Sequence, residues 1–172
     1  HSAGEITSEE SHILIEYIDG KFGTKLMRFH PGVSYRHAMI IHNGSLGYTL
    51  TPPHDILNQR VGDHLPKGEG SEFITKMMKE SYELLRSHPV NLERIRKGLN
   101  AANSIWIWGQ GKRPSLTSFY EKYRVHGTVI SAVDLIKGIG ICAGLDSVDV
   151  EGATGTINTN FKGKTEAAID EF

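Results

Sequence analysis

Residues 127–150 read "GTVISAVDLIKGIGICAGLDSVDV". "GTVISAV" has the composition of a short strand. Asp134 then stands where a helix N-cap belongs, and Gly144 where a helix ends, so "DLIKGIGICAG" is expected to be helical. "SVDV" follows as a second short strand. A strand, a crossover helix and a strand in this order form a right-handed βαβ unit with parallel pairing.

The pattern extends outward from this unit. On its N-terminal side "SIWIW" (104–108) reads as a strand and "SLTSFYEKY" (115–123) as a short helix; on its C-terminal side "KTEAAIDEF" (164–172) reads as a helix. At the front of the chain, Thr7 with Glu10 three residues later forms a capping box. It opens a helix with Leu14, Tyr17 and Ile18 on one face, which Gly20 and Gly23 are expected to stop. Residues 26–29 and 35–41 have strand character, and "HPGVS" between them supplies a turn, which predicts an antiparallel hairpin. Residues 43–70 form a long Gly-, Pro-, Asn- and Asp-rich loop, of the kind that tends to carry function or to be disordered. A helix over 71–86 buries Ile74, Met77, Met78 and Leu85, and a second runs over 92–99 with Asn91 as its cap. The fold class is therefore α/β of mixed α+β type. A mixed β-sheet, with an N-terminal antiparallel hairpin and C-terminal βαβ units, carries helices packed on it, in one domain over 1–172.

The chain has 172 residues, with 19 Lys+Arg against 20 Asp+Glu. A neutral balance argues against a general nucleic-acid binder and leaves room for one local basic site. No apolar run is long enough to span a bilayer. The lone Cys142 leaves no partner for an internal disulfide and fits the cytoplasm. The sequence opens without Met and closes inside a helical stretch, so it reads as a piece of a longer protein.

Four stretches carry chemistry. In "GQGKRP", Gly109 and Gly111 allow close backbone approach, exposed amides can cradle an anion, and Lys112 and Arg113 add charge; the same residues also suit a solvated turn. Arg36 interrupts an apolar strand in "VSYRHAMIIH", where it faces either an anionic partner or solvent. His54 and Asp55 lie in the long loop, within reach of a substrate or a metal. Five histidines, His30, His37, His42, His54 and His64, fall close together, yet their spacings match neither a zinc finger nor an HExxH helix. Lys137 lies in the first turn of a helix after a strand, a position that favours an anion or else a plain surface lysine. Cys142 reads as a buried, inert thiol on the apolar side of that helix.

The blocks "SAGEITSEE", "NSIWIWGQGKRPSLTSFYEKY", "ISAVDLIKGIGICAGL" and "GATGTINTNFKGKTEAAID", in this order, resemble the archaeal-type, cofactor-independent phosphoglycerate mutases over essentially the whole chain. That family belongs to the alkaline-phosphatase superfamily, and related bacterial chains have been labelled homoserine kinases. The resemblance implies a parent isomerase that interconverts 3-phosphoglycerate and 2-phosphoglycerate in glycolysis and gluconeogenesis. Its catalytic core would carry a nucleophilic serine and two divalent metal ions, manganese or zinc, and this chain would be the substrate-binding insert, or cap, of that core. No catalytic residue and no metal ligand is then expected within 1–172, and the fragment alone should be inactive. The family's substrate-gripping side chains match Arg36, Arg113 and Lys137 by motif, with His54, Asp55, Gln110 and Lys112 following. The expected partners are the small anionic substrate and the core of the same protein, with neither nucleic acid nor membrane. A related phosphotransferase or phosphohydrolase, or a non-catalytic anion-binding module, stands as the alternative.

Overall fold

A computed structural model describes residues 2–172. The chain divides into two compact units, residues 1–111 and 112–172.

The first unit is built around α1 (Ser8–Phe22). Thr7 is its N-cap: the side-chain Oγ1 accepts the Glu10 N–H at 3.2 Å, a bond that stabilises a helix by about 1 kcal/mol. The Glu10 carboxylate does not reach back to complete the box. It ion-pairs instead with the buried Arg94. Gly20 does not stop the helix, which continues to Phe22. The cap falls at Gly23, whose N–H donates to the Asp19 carbonyl. The buried face of α1, with Leu14, Ile15 and Ile18, joins Ile6, Phe29, Met77 and Leu85 in the main core.

Strands β1 (Met27–His30) and β2 (Ala38–Ile41) form the expected antiparallel hairpin, with Met27 opposite Ile41 and His30 opposite Ala38. The second strand is shorter than its composition predicts, because residues 31–37 fold into a compact loop. Within the long 43–70 segment, β3 (Tyr48–Thr49) pairs antiparallel with β4 (Lys67–Gly68), flanking 3-10 turns at Pro53–Ile56 and Val61–His64. Helix α2 (Ser71–Leu85) buries the predicted stripe of Ile74, Met77, Met78 and Leu85.

Helix α3 (Pro89–Arg96) begins earlier than expected. His88 caps it by accepting the Val90 N–H on Nδ1, and Pro89 occupies the first turn, where its missing N–H costs nothing. Asn91 is therefore not a cap. It is fully buried, donates to the carbonyls of Leu85 and Ala102, and accepts the Ala102 N–H. Arg94, 2% exposed, donates to the carbonyls of Asn100 and Ala3 as well as to Glu10. One guanidinium thus ties α3 to α1 and to the segment ahead of it.

Residues 101–118 contain neither helix nor strand, so "SIWIW" is not a paired strand. Its polar groups are met by side chains and loops. Ile105 N–H donates to the buried Ser81 Oγ at 3.0 Å, and the Trp106 indole N–H to the Thr51 carbonyl at 2.8 Å. The segment lies against the core, Ile105 and Ile107 half-buried, without a neighbouring strand.

The second unit contains α4 (Phe119–Tyr123), β5 (Thr128–Ile130), α5 (Asp134–Cys142), β6 (Asp146–Val148) and α6 (Phe161–Asp170). Strands β5 and β6 are parallel with α5 between them, the βαβ unit expected from the sequence. Asp134 is the first helical residue and Val133 holds the cap position, with no side-chain hydrogen bond; the Asp134 charge still suits the helix start. The C-terminus follows the Schellman pattern. Gly144 takes φ +74°, its N–H donates to the Ile141 carbonyl, and the Leu145 N–H donates to the Gly140 carbonyl. Gly140 permits close packing of α5 on β5, since a Cβ there would sit 2.7 Å from the Val129 side chain. Cys142 is half-buried rather than buried. Among the described residues the strands form three separate two-stranded sheets, in place of one continuous mixed sheet.

Candidate functional site

Within the first unit, two segments come together at the long loop. Trp106 anchors its indole to Thr51, as above. Trp108, two residues on, is half-exposed and meets the His54 imidazole edge-on, with ring centroids 5.2 Å apart. The Gln110 amide donates to the Tyr48 carbonyl at 3.0 Å. His54 Nε2 lies 3.7 Å from an Asp55 carboxylate oxygen, and both side chains are open to solvent. His54, Asp55 and Gln110 therefore belong to one neighbourhood, stitched by Trp106 and Trp108. Reading "SIWIW" as a strand does not single out Trp108 as a site neighbour. Its signal in the sequence is its place directly before Gly109, which turns the backbone at φ +69°.

Arg36 is not on a strand. It is exposed in the 31–37 loop, its guanidinium over the Tyr35 ring at 5.8 Å. This loop is closely tied. Ser34 Oγ donates to the Ile6 carbonyl at 2.6 Å, and Ser34 N–H to Ser8 Oγ at 3.0 Å. Gly32 N–H donates to His37 Nδ1 at 3.1 Å, while His12 Nε2 lies 2.9 Å from the Gly32 carbonyl. The half-buried His37 has its pKa pushed down to about 4, first by burial and then by the neighbouring His12. Its ring therefore stays neutral at neutral pH and free to accept the Gly32 N–H.

Lys112 and Arg113 are exposed at the start of the second unit, directly after the boundary at Gly111. Lys137 lies in the first turn of α5, as expected, but it is no free cation: its ammonium pairs with the Asp149 carboxylate just past the end of β6. This pair sits at the carboxyl end of two parallel strands, the edge at which α/β folds gather ligands. Among the described residues, no three His, Cys, Asp or Glu side chains are grouped so as to hold a metal ion. No helix there is long and apolar enough to cross a membrane.

What emerges is an α/β chain in which His54, Asp55 and Gln110 share one neighbourhood, Arg36 is exposed in the 31–37 loop, and Lys112, Arg113 and Lys137 lie in the second unit. The family model described as 2,3-bisphosphoglycerate-independent phosphoglycerate mutase matches residues 1–91. The chain is 52% identical over 170 residues to a probable 2,3-bisphosphoglycerate-independent phosphoglycerate mutase of Geobacter sulfurreducens, covering 99% of this chain and 43% of that protein. It is 50% identical over 171 residues to a 2,3-bisphosphoglycerate-independent phosphoglycerate mutase of Methanosarcina barkeri, with the same two coverages. Among solved structures, it resembles the cofactor-independent phosphoglycerate mutase of Thermoplasma acidophilum with a TM-score of 0.59 at 25% identity, over 98% of this chain and 46% of that one. The chain belongs to the 2,3-bisphosphoglycerate-independent phosphoglycerate mutase family. It spans less than half the length of these relatives.

Proposed function

We propose that residues 1–172 are the substrate-gripping part of a cofactor-independent phosphoglycerate mutase. The parent enzyme would interconvert 3-phosphoglycerate and 2-phosphoglycerate in the cytoplasm, through a phosphoserine formed on segments outside this chain. The observation that carries this reading is the 52% identity, held over 99% of the chain, to a protein named as such a mutase. The exposed cations Arg36, Lys112 and Arg113 agree with it.

The chemistry assigns these residues a plain task. Phosphoglycerate carries a carboxylate and a phosphate, and Arg forms bidentate, charge-assisted bonds to either. Gly109 and Gly111 leave backbone space beside Lys112 and Arg113. His54, Asp55 and Gln110 are polar groups able to orient the glycerate hydroxyls. Lys137 would meet an anion only by exchanging Asp149 for it, which favours a dianionic ligand over a singly charged one. A glycerate held in place beside the phosphoryl group favours its transfer over hydrolysis.

The family's divalent ions, manganese or zinc, do not fit the described residues, which offer no converging ligand set. Any such ions would be held by the remainder of the parent, as expected for a member of the alkaline-phosphatase superfamily, and this chain alone would be inactive. The apolar side chains left bare in the second unit would be covered by that remainder too.

The test is Arg113→Ala in the parent enzyme, assayed with 3-phosphoglycerate. Loss of a charge-assisted bond to the substrate lowers kcat/KM by about tenfold or more. The same change in 1–172 alone shifts stability by no more than about 0.5 kcal/mol, as for other exposed positions. Unchanged kcat and KM would overturn the role given to this arginine.

A further inference from the structure

We propose that the 32–37 loop is a preformed mount for Arg36, and that Ser34 is the positioning residue that sets it. The inference rests on the reading of Arg36 as a substrate-binding side chain. Ser34 has φ +54°, a left-handed conformation that a residue with a Cβ adopts at a cost. Two bonds offset that cost, and both leave the loop for the start of α1: Oγ to the Ile6 carbonyl and N–H to Ser8 Oγ. Glycine would take this backbone without strain but could make only the second of them.

The other side of the loop is closed just as tightly. Gly32 packs against the Arg36 backbone, where any Cβ would collide with the Arg36 carbonyl oxygen. Gly32 is itself gripped from both sides, by His37 Nδ1 at its N–H and by His12 Nε2 at its carbonyl. The Arg36 N–H donates to the Val33 carbonyl at 3.1 Å. Every one of these ties fixes the backbone around position 36, while the guanidinium stays exposed. A loop needed only to join β1 to β2 would not have to strain Ser34 and anchor it to a distant helix start. A cation whose position must be set before the ligand arrives does need this, because an unordered loop would spend binding free energy on becoming ordered.

The experiment is steady-state kinetics of the full-length parent enzyme with 3-phosphoglycerate, together with thermal melts. The variants are Ser34→Gly, Ser8→Ala, Arg36→Ala and the double variant Ser34→Gly/Arg36→Ala. Ser34→Gly relieves the strain while removing one tether; Ser8→Ala removes the other and leaves the loop sequence intact. The mount predicts that each raises KM by about threefold to tenfold, the effect of one lost hydrogen bond, with kcat nearly unchanged. In the Arg36→Ala background, Ser34→Gly adds no further rise. A Ser34→Gly protein that melts lower but keeps its KM overturns the proposal, as does an effect of equal size in the Arg36→Ala background. Arg36→Ala with an unaltered KM sinks the substrate-binding reading of Arg36 and the mount with it. A raised KM in Arg36→Ala beside unaltered Ser34→Gly and Ser8→Ala sinks the mount alone.

Discussion

Trp108 and His54, far apart in sequence, meet ring to ring with centroids 5.2 Å apart and planes inclined at 82°. This contact couples the segment ahead of the Lys112–Arg113 pair to the one candidate histidine in the long loop. It also explains why two tryptophans stand so close together: Trp106 fixes the segment to Thr51 from inside, and Trp108 presents its ring outward.

If His54 orients the substrate, removing its aromatic neighbour loosens it. Trp108→Ala in the parent enzyme should raise KM for 3-phosphoglycerate by up to about tenfold, the scale of one aromatic pair. Trp108→Phe should recover most of that loss. Equal defects in Ala and Phe variants would show that the ring contact is not what matters.

Arg94 is the most deeply buried charge described, and Glu10 is its ion-pair partner. Breaking such a pair leaves an uncompensated charge in the interior. Glu10→Gln, which leaves the Arg94 guanidinium buried without its counter-charge, and Arg94→Met should therefore both destabilise 1–172, the former by about 3–5 kcal/mol, measured by urea unfolding. Arg94→Met also orphans the Ala3 and Asn100 carbonyls, so it should be the worse of the two.

His37 gives the chain a pH dependence whose sign follows from its lowered pKa. In the unfolded chain it takes up a proton near 6.5, whereas in the fold it does so only near 4. Between these values the unfolded state binds more protons, so this contribution to stability is complete above about pH 6.5 and declines as pH falls toward 4. Thermal melts across that window should show the decline. In His37→Asn, whose side-chain oxygen can still accept the Gly32 N–H, the slope should be shallower by the share of this one group.

Lys137 and Asp149 form an ion pair whose carboxylate is largely in solvent, 88% exposed. Asp149→Asn should change stability by less than about 1 kcal/mol. If Lys137 meets the substrate, the same variant should bind 3-phosphoglycerate more tightly in the parent enzyme, with the gain shrinking as salt is raised. No change in binding at low salt would remove Lys137 from the site.

Much of the local architecture was legible in the sequence. The Thr7 cap, the α2 stripe and the Gly144 stop are short-range patterns, and each depends on residues within a turn or two. The failures concern distant partners. Asn91 reads as a cap because Asn caps helices, but its amide is spent on Leu85 and Ala102. "SIWIW" reads as a strand because it is apolar and Ile- and Trp-rich, and no sequence pattern discloses that Ser81 and Thr51 would take the place of a neighbouring strand. Arg36 reads as a candidate on a strand, because the turn at Ser34 needs a positive φ that serine seldom adopts. At the division at Gly111, "GQGKRP" marks a turn in the sequence but not which contacts stop there.

The second unit has an interior so thin that Gly140 is its one buried residue, while Leu135, Ile157, Phe161 and Ile169 stand 66–88% exposed. Samples of 1–172 alone should therefore brighten a hydrophobic reporter dye such as ANS while fully native, mimicking a molten globule. Fluorescence of that kind would mark oily skin awaiting its cover, and a sharp cooperative melt from the same tube would tell it apart from misfolding.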